Sequence, residues 1–156
     1  EVIPDYRRPS LHKVISKLMK SDRLSNTFRY PVDPVRDNCP TYLDVIRRPI
    51  CIVDILRKID NDDYGDKFHN FEADVELCFR NAMEFNPPEH LIHDLAVRML
   101  RSFHEIVDEF KNAQVVTATK SFGRGSSRPN SSVAALIEQQ KQQKFMSALT
   151  PSSGTL

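Results

Sequence analysis

The 156-residue chain has no tryptophan and only four glycines. Without Trp, an aromatic-lined site must draw on nine Phe and four Tyr. Gly65 is the one glycine in the first 112 residues, which excludes a Gly-rich phosphate loop and a nucleophile-elbow turn there. Three cysteines, Cys39, Cys51 and Cys78, are an odd number with no C-x-x-C spacing and read as reduced thiols of an intracellular protein. Uncharged apolar runs are too short to span a bilayer, and the first residues carry no signal-peptide pattern.

What is present is ordinary for one domain with a tail: 40% hydrophobic and 28% charged residues. The net charge of +1 hides an asymmetry. Residues 1–112 hold 17 Lys and Arg against 20 Asp and Glu, whereas residues 113–156 hold five basic residues against Glu138 alone. A mildly acidic body suits a basic partner better than a phosphate backbone.

Apolar spacing argues for four helices. Leu11, Val14, Ile15, Leu18 and Met19 recur at helical spacing after Pro9-Ser10. Pro31, Pro34, Pro40 and Pro49 then block regular helix. Helical spacing resumes at Ile52, Ile55, Leu56 and Ile59 and stops at the turn cluster Asn61-Asp62-Asp63-Tyr64-Gly65. Asp66 is a candidate cap for a third helix bearing Phe68, Phe71, Val75, Cys78, Phe79, Ala82 and Phe85. Pro87 ends it by disfavouring helical geometry at Asn86. The fourth stripe runs through Ile92, Leu95, Ala96, Met99, Leu100, Phe103, Ile106, Val107 and Phe110. No strand-like alternation competes, so the expected fold is all-α. The body is placed at 1–112, a flexible Ser/Thr/Gly/Arg linker at 113–132, and a tail with a possible short helix at 133–156.

The connection over residues 26–50 exceeds the roughly 12–15 residues usual for a structureless loop. It carries Phe28, Tyr30, Val32, Val35, Tyr42, Val45 and Ile46, enough apolar surface to pack back and form a cleft facing Asn86-Pro87-Pro88. Four blocks in register carry a family likeness: the first helix, Phe28-Arg29-Tyr30-Pro31-Val32-Asp33, Pro40 through Ile50, and Asn81-Ala82-Met83-Glu84-Phe85-Asn86-Pro87. Over about residues 8–112 the sequence resembles the bromodomain pattern.

That resemblance implies a left-handed four-helix bundle with a long packed loop between its first two helices, and a site for acetylated lysine. Asn86 matches the asparagine whose amide donates to the acetyl carbonyl, and Tyr42 the tyrosine reaching it through a water. Phe28 corresponds to the phenylalanine beside the acetyl methyl, with Pro31, Val32 and Cys39 supplying loop walls and Ala82 the helix side. Phe85 takes a place often held by tyrosine, Ile92 guards the mouth, and Asp37 puts a charge at the rim. Asn26-Thr27-Phe28 stands where many members have Trp-Pro-Phe, so a smaller outer shelf is expected. Cys39 replaces a commonly larger aliphatic residue, and Cys51 stands where a better helix cap is usual, predicting weaker capping there.

The chemistry stands apart from the name. Acetylation turns a lysine ammonium into a neutral planar amide, and Asn can donate to it without burying an ion. An unmodified ammonium would lose several kcal/mol in desolvation unless a carboxylate paired with it. Removing the Asn donor should cost roughly 1–3 kcal/mol, and binding should be weak, on the order of 10 μM to 1 mM.

Plainer readings stand beside these. Asn86 alone reads first as a helix end, Phe28, Val32, Phe85 and Ile92 alone read as core, and for Tyr42 an ordinary core tyrosine with its hydroxyl at the surface is the lesser alternative. His90 and His93 lie at a spacing that can hold a metal, but no second ligand face completes the set, so both read as exposed and no metal is expected. Glu72 and Glu76 read as a solvated face rather than catalytic carboxylates. The expectation is therefore a non-enzymatic, nuclear acetyl-lysine reader without cofactor. It is a monomeric module of a larger chromatin protein that binds acetylated histone tails or other acetylated proteins, with no direct nucleic acid or membrane contact. The alternative is a docking module of the same shape with its slot unused.

Overall fold

In a computed structural model of the protein, residues 8–121 are described. The compact unit considered below spans Glu1–Ala118. The expected tail at 133–156, and the expected linker beyond Ser121, lie outside the described residues.

Helix α1 (Arg8–Lys20) is followed by a 3-10 turn (Ser25–Phe28), a short α2 (Tyr42–Val45), α3 (Ile52–Asp60), α4 (Phe68–Phe85) and α5 (Leu91–Ser121). The described residues are thus all helix and loop: four long helices on the expected stripes, plus a four-residue helix inside the long connection. Helix α5 runs on past Asn112, where the sequence pattern placed the start of a linker.

The stripes bury as their spacing requires. Leu11, Val14, Ile15 and Leu18 of α1 meet Ile52, Ile55 and Ile59 of α3, and α4 adds Phe68, Phe71, Val75, Cys78 and Phe79 to the same core. From α5 come Leu95, Ala96, Met99, Phe103 and Val107. Phe71 meets Phe103 edge to face with centroids 6.1 Å apart, joining α4 to α5. Each such ring stabilises the fold by about 1.5–3 kcal/mol through burial.

Two buried polar groups fix how the elements sit. The Asp74 carboxylate on α4 accepts from Lys58 Nζ at 2.6 Å and from the Tyr64 hydroxyl at 2.7 Å, tying α3 and the turn after it to α4. Asn81 Nδ2 donates to the Arg48 carbonyl at 2.8 Å and pins the end of the long loop to α4. On the outer face, Glu72 and Glu76 are partly buried and pair across to α5, with Lys111 at 2.8 Å and His104 at 3.1 Å. They bridge helices instead of being simply solvated.

Two capping expectations are corrected. Asp66 does not cap α4; Lys67 occupies that position without a side-chain bond. At α3 the weak cap foreseen at Cys51 is compensated, because Asp54 Oδ2 accepts from both the Cys51 N–H and its thiol at 3.1 Å. A carboxylate three residues in turns back on the helix start, so the orphan donor is met.

Candidate functional site

The long loop is built from local turn chemistry. Asp33 Oδ1 accepts from the Val35 and Arg36 N–H groups at 3.0 and 3.2 Å, as a helix-capping Asp does, and Pro34 follows it. The turn closes with Asp37 N–H on the Asp33 carbonyl at 2.8 Å and Cys39 N–H on the Pro34 carbonyl at 2.9 Å. Between them Asn38 takes φ 53°, the left-handed geometry that Asn tolerates at a helix end. This start-and-stop pattern was present in Asp33-Pro34 and Asn38, and a reading of proline as breaker alone misses it. Its effect is to aim Cys39 and then α2 back toward the bundle.

Tyr42 opens α2 and is buried, 7% exposed. Its ring meets Phe85 of α4 edge to face, centroids 4.9 Å apart. Burial, with the Cys78 and Cys39 thiols nearby, pushes its hydroxyl pKa up to about 12, so the group remains a donor. That hydroxyl makes no hydrogen bond to any described residue, and among the described residues no fully buried side-chain N or O lacks a partner. The hydroxyl oxygen therefore keeps some exposure to solvent.

Asn86 follows Phe85 at the end of α4, with φ −100° and ψ 131°, the extended geometry that Pro87 demands of the residue before it. Its backbone N–H donates to the Ala82 carbonyl at 3.0 Å, and its Nδ2 donates to the same oxygen at 2.9 Å. Only an N–H can face that carbonyl, which fixes the amide's orientation. One amide hydrogen is used; the second and the Oδ1 have no partner among the described residues.

The remaining expected residues fall into two groups. Cys39 is half-buried, and its carbonyl receives the Tyr42 N–H at 3.0 Å; burial raises its thiol pKa, helped by Asp37 and Asp33. Ala82 is buried beneath Asn86, Ile92 packs partly against the core, and Phe28 sits in the core with its ring edge to face on Phe79 at 5.1 Å. Pro31, Val32 and Asp37 stay on the exposed turn. Val32 is 38% exposed, and Asp37 is held below the usual carboxylate range by its bond to Arg36. None of their hydrogen bonds reaches Tyr42 or Asn86.

The loop packs less fully than expected. Phe28, Tyr42 and Ile46 are buried, but Tyr30 is 62% and Val35 90% exposed, with Val45 also outside. His93, expected on the surface, is half-buried, and its Nδ1 lies 2.8 Å from the Asn86 carbonyl oxygen and 3.1 Å from that of Met83. His90 is exposed and accepts the Ile92 N–H at 3.1 Å. Among the described residues no His, Cys, Asp or Glu group is arranged to hold a metal ion.

A cavity of about 540 Å3 opens elsewhere, between α1, the 3-10 turn and α3, with Met19, Lys20, Arg23, Arg29 and Leu56 among its walls. It shares no residue with the Asn86 group. Size alone does not identify a ligand site; Tyr42 and Asn86 carry polar atoms with no partner among the described residues.

Residues 11–98 match the bromodomain family model. The chain belongs to the bromodomain family. Among its relatives are the SWR1 complex bromodomain subunit bdf1 of Schizosaccharomyces pombe, 34% identical over 94 residues, and bromodomain-containing factor 1 of Saccharomyces cerevisiae, 32% identical over 93. Transcription factor GTE10 of Arabidopsis thaliana is 32% identical over 104 residues. These matches cover 58–61% of this chain but only 10–16% of the relatives' lengths, so the likeness is that of one bromodomain within longer proteins. Bromodomains are a binding-module family and not an enzyme class.

Proposed function

We propose that this bromodomain reads acetylated lysine, on histone tails or other nuclear proteins, through the Asn86 amide. What supports this reading is an anchored but half-used Asn86 amide next in sequence to Phe85, whose ring meets that of Tyr42, together with a Tyr42 hydroxyl that has no partner among the described residues. Ala82 holds the amide by one hydrogen, leaving the other for an incoming carbonyl. Tyr42 offers a second donor, suited to a bridging water. Cys39, Phe85 and Ile92 supply apolar wall for a neutral stem, and none of them can pair with an ammonium. Selectivity then rests on refusal: unmodified lysine finds no anion and must shed its water. A nuclear, chromatin-associated setting is supported by relatives named as a SWR1 complex subunit and a transcription factor. We place the domain as a monomeric module that acts by binding, without cofactor.

The test is calorimetric titration of acetylated and unmodified histone-tail peptides into the wild type and Asn86→Ala. Binding of the acetylated peptide alone, weakened about tenfold or more by the substitution, supports the reading. Equal binding of both peptides, or none, defeats it. The competing reading, a docking module with its slot unused, would draw on the groove between α1 and α3. Partners retained by Asn86→Ala regardless of acetylation would favour it.

A further inference from the structure

The last carbonyls of any helix lack an intrahelical donor, and here one of them is denied it by sequence. The N–H that would serve the Met83 carbonyl belongs to the residue four places on, which is Pro87, and proline has none. The next carbonyl that matters, that of Asn86, points out of the helix because Asn86 is already extended. Both oxygens face one atom, His93 Nδ1 on the first turn of α5, at 3.1 and 2.8 Å. Carbonyl oxygens only accept, so Nδ1 must carry a hydrogen and donate to them.

We infer that His93 is a positioning residue for the acetyl-lysine site: its Nδ1–H replaces the donor that Pro87 removes and sets the main-chain pose from which the Asn86 amide points. The inference rests on the function proposed above. Asn86 is thereby held on both sides of its Cα. Its N–H and Nδ2 are tied to Ala82 within α4, and its carbonyl is tied to His93 of the following helix. Without the imidazole, the span from Asn86 to Leu91 keeps the Asn86 bonds to Ala82, the His90 N–H on the Pro87 carbonyl at 2.9 Å, and the Ile92 and Asp94 N–H groups on His90 at 3.1 and 3.2 Å, none of which holds the Asn86 carbonyl. A side-chain amide that swings by a small angle misses a ligand carbonyl, because hydrogen bonds weaken steeply off axis.

The experiment compares wild type, His93→Leu and His93→Asn, titrated with one acetylated histone-tail peptide well below the unfolding transition. Long-range proton–nitrogen spectra of the wild-type imidazoles accompany the titrations. Leu fills similar space without a donor, while the Asn amide can place N–H close to where Nδ1 sits. The expected result is that His93→Leu weakens binding about tenfold and His93→Asn recovers most of it, with the His93 ring protonated at Nδ1. Wild-type-like binding by His93→Leu overturns the inference, as does a His93 proton found on Nε2 alone. If His93→Leu does not fold, the spectrum and the Asn variant still decide. Failure of the wild type itself to distinguish acetylated peptide would instead remove the proposed function.

Discussion

The rings of Tyr42 and Phe85 meet edge to face at 4.9 Å with their planes inclined by 71°, linking the short helix of the long loop to the last residue of α4. The contact uses the faces and edges of the rings and leaves the Tyr42 hydroxyl without a partner among the described residues. Tyr42→Phe should therefore leave the unfolding free energy within about 0.5 kcal/mol of wild type, because no folded-state hydrogen bond is lost. Binding of an acetylated peptide should fall about five- to tenfold through loss of the water-bridging donor. Parallel urea unfolding and peptide titration check both halves.

Asn81→Ala removes the donor to the Arg48 carbonyl and should destabilise the domain by about 1–3 kcal/mol. Urea unfolding should show a lower midpoint at an unchanged slope. Amide exchange should quicken in the loop before α3, whose end this bond secures.

Alkali should destabilise the fold in two stages. Burial raises the Cys78 thiol from 9.0 to about 12, and the Tyr42 hydroxyl from 10.0 to about 12. In each case the folded state holds its proton where the unfolded chain has released it. The contribution is complete below the unfolded pKa and is lost as pH rises toward the folded one. Stability should be flat up to about pH 9 and then fall by about 1.4 kcal/mol per pH unit for each such group. Unfolding midpoints measured under reducing conditions from pH 7 to 11 test this, and Cys78→Ala should shallow the first part of the fall. A fall equally steep in that variant would show that the thiol is not its source.

Asp54→Ala strips the α3 start of the acceptor for the Cys51 N–H and should cost about 1 kcal/mol. Thermal unfolding of the variant would show no change if Cys51 capped the helix unaided.

The sequence alone determined the helical stripes and the break after α4. Apolar period and proline geometry act within one turn of chain: Leu11 to Leu18 and Phe68 to Ala82 bury as their spacing requires, and Pro87 extends Asn86. The four blocks of family likeness also made Tyr42 and Asn86 candidate site residues. The expected packing of the whole loop failed at Tyr30 and Val35, because an apolar residue can lie on an exposed face of a turn at no local cost.

Only the tertiary structure decided the polar contacts. Asp74 lies 16 residues from Lys58, and Asn81 lies 33 from Arg48; each sits near an apolar stripe, where nothing nearby in sequence names its partner. His93 looked like a surface histidine because its two acceptors are backbone carbonyls, which every residue carries and no sequence pattern marks. Local propensity is written along the chain, but the pairing of a buried donor with a distant carbonyl exists only once helices have packed and water has left.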